Sequence, residues 1–136
     1  MKAKVLTSTA SGAVGKAAEA IARALQCKCD SVPPAYPCEN EKLLVCFIKS
    51  GKELTAELKN FVGDLSKARA QNVFFIFGCD AKVGKTIEDL AVNAGTKLAG
   101  ESKYVKFPAL PFLDFSADVK KDIKEAIAAV YASLNV

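Results

Sequence analysis

The sequence predicts an α/β protein built on a doubly wound parallel sheet, and three observations carry that prediction. Residues Lys42 to Ile48 and Asn72 to Gly78 are apolar almost throughout, as central parallel strands covered on both faces should be. Segments of helical period alternate with such runs along the whole chain. A turn of small residues, Thr7 to Ala13, stands where the first strand hands over to the first helix.

Lys2 to Thr7 is the first predicted strand. Ala13 to Leu25 follows as a helix, with Val14, Ala17, Ala18, Ile21 and Leu25 on one face. Gln26 to Val32 reads as a short second strand ended by Pro33 and Pro34, and Lys42 to Ile48 as the third. Glu53 to Lys67 carries Leu54, Leu58, Phe61, Val62 and Leu65 at helical spacing. After the fourth strand, Lys85 to Leu98 is a third helix with Ile87, Leu90, Ala91 and Ala94 inward. Lys103 to Phe107 is the last strand, cut off by Pro108 and Pro111. Ser116 caps the final helix, Ala117 to Leu134, whose buried stripe is Val119, Ile123, Ile127, Val130 and Leu134.

At 136 residues, one domain spanning 1–136 is expected, and 51% hydrophobic against 25% charged residues describes a globular core and not a disordered segment. No apolar run reaches bilayer-spanning length, and Lys2 and Lys4 lead into Thr7, Ser8 and Thr9 instead of a signal sequence. A cytoplasmic protein, no membrane association and a monomeric state are expected. Five cysteines, an odd number, suit a reducing compartment. The absence of histidine removes Ser-His and Cys-His nucleophile pairs and His-based zinc sites. With Arg23 and Arg69 as the only arginines and a net charge of +4, nucleic-acid binding is not expected.

In a doubly wound sheet, ligands bind beyond the carboxyl ends of the strands, at the point where strand order reverses. The segments that should meet there are Ser8 to Val14, Lys49 to Lys52 and Cys79 to Gly84. The first suits phosphate: hydroxyl, methyl or absent side chains let the backbone close around an anion, and the free amides of the following helix point at it. A plain helix cap by Ser11 or Thr9 is the competing reading.

These residues resemble the flavodoxin family, whose members are small five-stranded α/β proteins that bind FMN. The family's first loop, Ser/Thr-x-Thr-Gly-Asn-Thr, is met in its first half by Thr9, Ala10, Ser11 and Gly12, and its helix Ala-Glu-x-Ile-Ala by Ala18 to Ala22. Val45 to Lys52 with Leu58 to Phe61 is similar to its third strand, flavin-flanking loop and helix, and Phe75 to Gly78 to its fourth strand. The resemblance implies strand order 2-1-3-4-5, non-covalent FMN and electron transfer between redox partner proteins. The implied cofactor-binding residues are Ser8, Thr9, Ala10, Ser11, Gly12, Ala13 and Val14 at the phosphate, and Phe47, Ile48, Lys49, Ser50 and Gly51 in the first flanking loop. Cys79 and Asp80 complete the set from the second. Gly51 would let a peptide near the flavin N5 flip. Ala13 and Val14 stand where the family usually has Asn and Thr, and no Trp is present to flank the ring. The alternative is therefore a flavodoxin-fold binding or interaction module that has lost the flavin.

The same residues bear on other chemistries. Walker phosphate-loop spacing fails at Gly15-Lys16, where Ala10 and Ala17 replace the required Gly and hydroxyl. It also fails at Gly84-Lys85-Thr86, where Gly78 is one residue too far. Cys46 and Cys79 are expected near the switch point, where Lys49, Lys52, Lys82 and Lys85 would lower a thiol's pKa; two small core residues are the favoured reading. Cys27, Cys29 and Cys38 make an incomplete zinc set, so no metal is expected. The rings Phe107, Phe112 and Phe115 are expected to seal the sheet's end, and Tyr36 to pack in its loop.

Overall fold

β3 (Leu43–Lys49) and β4 (Asn72–Gly78) form the centre of the sheet, and their side chains divide by strict alternation. Leu43, Val45, Phe47, Phe74 and Ile76 point to one face, where they pack with α1 (Gly12–Ala24) and α4 (Ala117–Ser133). Leu44, Cys46, Ile48, Val73, Phe75 and Phe77 point to the other, against α2 (Ala56–Gly63) and α3 (Ala81–Ala94). Two apolar layers thus sandwich one sheet, which is why these strands are uniformly apolar and not alternating. These features come from a computed structural model, which describes residues 3–8, 12–32, 34, 38, 40–108 and 114–134.

All described strand pairs are parallel. β1 (Ala3–Thr7) lies between β2 (Lys28–Ser31) and β3, and β4 lies beyond β3. The next position holds two short strands in succession: β5 (Lys97–Leu98) pairs with the start of β4, and β6 (Lys103–Tyr104) with Ile76 and Phe77 at its end. The expected order 2-1-3-4-5 is present, with its fifth strand split in two. The edge remains attached beyond β6, since the Val105 amide donates to the Phe77 carbonyl at 2.9 Å.

Two helices start elsewhere than the sequence reading placed them. α2 begins after Thr55, whose hydroxyl accepts from the Leu58 amide at 3.2 Å, and closes at Gly63, so it is shorter than Glu53 to Lys67. α3 begins at Ala81 and not at Lys85, because Asp80 caps it: its carboxylate accepts from the Val83 amide at 3.0 Å. It ends at Gly95, whose φ of +120° breaks the helix and releases Lys97 and Leu98 to the sheet. Gly84-Lys85-Thr86 therefore lies inside a helix, with the Gly84 amide donating to the Asp80 carbonyl at 3.0 Å, and forms no phosphate nest. Ser116 caps α4 as expected, accepting from the Val119 amide at 3.3 Å. Among the described residues, no helix is long and apolar enough to cross a membrane.

Candidate functional site

The carboxyl ends of β1 and β3 are tied together by Ser8. Its amide donates to the Phe47 carbonyl at 2.9 Å, and its hydroxyl oxygen accepts from the Lys49 amide at 2.8 Å. A serine that accepts in this way keeps its own proton to donate. On the far side of the turn, Gly12 opens α1 with φ +72°, a conformation that costs glycine no Cβ clash. The first turn of α1 holds no carboxylate, and Ala13, Val14 and Gly15 are buried. The polar groups offered at this end of the helix are therefore its backbone amides, aided by the helix dipole. Thr9, Ala10 and Ser11 lie outside the described residues, as do Tyr36, Phe112 and Pro111.

Beside this junction, the ends of β3, β4 and β6 enclose an open cleft of about 410 Å³ lined by Lys49, Gly78, Cys79, Tyr104, Lys106 and Phe107, with Val105 between them. Its position follows from topology: each lining residue ends its strand or lies just past that end, so parallel pairing delivers them to one edge. Tyr104 is 44% exposed and is one of the residues lining the cleft. Phe77 lies beneath it, ring centroids 5.3 Å apart, and Gly84 of α3 makes room for it: a Cβ there would lie 2.8 Å from its ring carbons. Phe107 is only 7% exposed and closes the end of the sheet edge-on against Phe115, centroids 6.0 Å apart. That arrangement meets the expected sealing role for these two rings.

The two lysines give the cleft positive charge, and its acids stay protonated at neutral pH. Burial, helped by Asp80, pushes the Cys79 thiol up from 9.0. Burial, with smaller contributions from Glu88, Cys79 and Asp80, raises the Tyr104 phenol from 10.0. The expectation that lysines would lower the pKa of Cys79 fails, because desolvation and the neighbouring carboxylate dominate. The expectation that Cys46 faces the switch point fails too: it sits in mid-strand opposite Phe75, fully buried toward α2 and α3, with its thiol well above 9.0 through burial. Cys46 is a small core residue, as the favoured reading had it.

Of the residues proposed from sequence, Ser8 and Lys49 are joined directly, and Lys49 and Cys79 share the cleft. Phe47 and Ile48 are wholly buried in opposite apolar layers, so a ligand at the strand ends would meet them through the main chain alone. Asp80 has its carboxylate engaged in the α3 cap. Gly51 lies in open space, with nothing within 4 Å of where a Cβ would stand. Tyr104 and Lys106 are the residues that sequence reasoning left out. Their signal was available: Tyr104 and Lys106 lie in the predicted last strand, whose carboxyl end must fall beside that of β4 in a parallel sheet. Among the described residues, no group of three Cys, Asp or Glu side chains is placed to hold a metal ion.

No protein-family model and no curated protein sequence matches the chain. Among solved structures it is similar to the Streptococcus pneumonia TIGR4 flavodoxin, with a TM-score of 0.65 over 96% of this chain and 98% of that one, at 15% sequence identity. At that identity the likeness is one of architecture, and it establishes that this chain has a flavodoxin-like fold.

Proposed function

We propose that the chain binds FMN non-covalently at the carboxyl edge of its sheet and acts in electron transfer between redox partner proteins. The observation that carries the reading is the adjacency of an anion-suited helix start, the Ser8 to Lys49 link and a cationic cleft bearing an exposed ring. The residues present fit the phosphate half of the group well. The α1 amides and the Ser8 hydroxyl would hold it, with no carboxylate in the first turn to oppose it. Tyr104 offers one aromatic face to a ring, and Lys49 and Lys106 supply positive charge near it. When bound, the isoalloxazine would supply the redox chemistry. The protein's part is binding and orientation, and Cys79, kept as a neutral thiol, adds no competing negative charge.

A second reading, a binding module of the same fold without flavin, is favoured by one specific observation. Ile48 is buried, so the first flanking loop offers Lys49 where a stacking ring would be needed. The visible absorption spectrum of the purified protein, repeated after incubation with FMN and desalting, separates the two. Retained bands near roughly 375 and 450 nm support the flavoprotein. A colourless protein that fails to retain FMN removes the electron-carrier reading and leaves the binding module. The domain reading, a single unit spanning 1–136, and a monomeric, cytoplasmic state belong to the same proposal. A sedimentation measurement checks the monomer.

A further inference from the structure

The two helix layers of this protein are not packed alike. α2 and α3 lie directly against each other, whereas α1 and α4, in the other layer, approach less closely. The seam between α1 and α4 holds two hollows of about 250 and 510 Å³ that share Ala20, Ile21 and Lys124 as walls. Ala20 and Ala24 on one helix and Ala128 and Ala132 on the other border the seam, and methyl groups of this size do not fill it.

Charge varies along the seam. At the end near the start of both helices, Lys16, Lys120 and Lys124 meet a single carboxylate, Asp114, which is already ion-paired with Lys120. Lys16 also acts on Asp114, helping hold its carboxyl below the ordinary value of 3.8 behind the larger effect of Lys120. Toward the other end, Lys124 is the last charged wall, and Leu25, Ile127 and Tyr131 take over. The carboxylates Asp118, Asp122 and Glu125 of α4 line neither hollow. A cationic mouth leading into an apolar trough complements an anionic head on an apolar tail. Between Lys16 and Leu25 the trough runs about 14 Å, at 1.5 Å per residue. A slot walled by alanine side chains admits a single hydrocarbon chain more readily than a helix, whose diameter is about 10 Å or more.

We infer that the α1–α4 seam binds a free single-chain fatty acid anion, its carboxylate at Lys16, Lys120 and Lys124 and its chain along Ala24 to Ala132. This site is separate from the cleft at the strand ends and does not depend on flavin binding. The test is an amide-shift NMR titration of the whole chain with decanoate and dodecanoate below their micellar concentrations. Saturable shifts confined to α1 and α4 are expected. Dodecanoate should bind up to about fifteen-fold tighter, because each buried methylene adds to affinity. Lys124→Gln, a surface change that leaves the core untouched, should weaken binding about three-fold. Ala24→Leu, which fills the trough while keeping a good helix former, should abolish it. The inference is overturned if decyltrimethylammonium binds as tightly as decanoate or if Ala24→Leu binds unchanged. It is also overturned if the shifts appear only with anionic vesicles, or if an acidic helical peptide binds the seam and decanoate does not.

Discussion

Gly78→Ala should destabilise the protein even though alanine suits a β-strand better than glycine does. On backbone grounds alone the substitution gains about 0.5–1 kcal/mol, since glycine gives up the most conformational freedom on folding. The new Cβ would stand 2.7 Å from Cγ and Cδ2 of Phe107 and 3.0 Å from Cδ1, inside normal contact distance. The ring cannot yield cheaply: it is 7% exposed and held edge-on by Phe115. Displacing a packed side chain costs roughly 1–3 kcal/mol, so a net loss of about 1–2 kcal/mol is expected. The control is the same substitution made beside Phe107→Ala. With the ring gone, only the backbone term survives, and Gly78→Ala should become stabilising by about 0.5–1 kcal/mol. Urea unfolding followed by circular dichroism measures all four proteins, with the midpoint shift read at constant m. An equal cost in both backgrounds, or no cost in the parent, would refute the contact as the reason glycine occupies this position.

Substitutions at three other positions have distinct expected signatures. Gly84→Ala also meets a ring, but Tyr104 is 44% exposed and free to swing outward. The helix-propensity gain of about 1 kcal/mol should offset the strain, leaving stability near parental. FMN affinity, measured by flavin fluorescence quenching, should fall about 2- to 12-fold as an aromatic contact of about 0.5–1.5 kcal/mol is lost from the cleft. Asp80→Ala should lose about 1 kcal/mol in urea unfolding through the α3 cap, and Asp80→Asn should retain most of it. Cys46 sets a pH signature. Its folded pKa lies above the 9.0 of the unfolded thiol, so its contribution is fully present below about pH 9 and lost as pH rises from there toward the folded value. The slope approaches about 1.4 kcal/mol per pH unit for one proton once the unfolded thiol is ionised, and Cys46→Ala should remove about 1 kcal/mol of the fall in stability between about pH 9 and 10. A profile unchanged by the substitution would mean the thiol ionises freely in the native state.

The sheet was legible because β3 and β4 carry one apolar residue after another and a parallel strand covered on both faces demands it. The helix starts were less so. The apolar spacing of Ile87, Leu90, Ala91 and Ala94 marks the body of α3 but not its first turn, which Asp80 caps and which begins at Ala81, four residues before Lys85. The split edge was legible by half: Lys103–Tyr104 falls within the predicted last strand, whereas Lys97–Leu98, read as the end of the third helix, is two residues long and too short to show a period. Pairing with β4 alone defines them. The cleft was half legible. Lys49 ends a strand that reads clearly and Cys79 follows one, whereas Tyr104 comes from the neighbouring strand, whose two residues give little pattern to read.

The residues that make the architecture, such as Val45, Phe47, Phe74 and Phe75, work by volume and alternation, and many sequences meet that requirement. Chains that share few residues can therefore share this architecture. The cleft depends instead on single groups at strand ends: the Ser8 hydroxyl against the Lys49 amide, and the Tyr104 ring seated over Gly84. Function belongs to such groups and not to the sheet that carries them. Gly84 is where the two levels meet, because a residue chosen inside a helix against its propensity has its reason in the ring of a residue that lines the cleft. Its replacement therefore separates them experimentally: fold stability should hold while ligand affinity falls. If both fell together, Tyr104 would be part of the core and the cleft would have lost its aromatic wall.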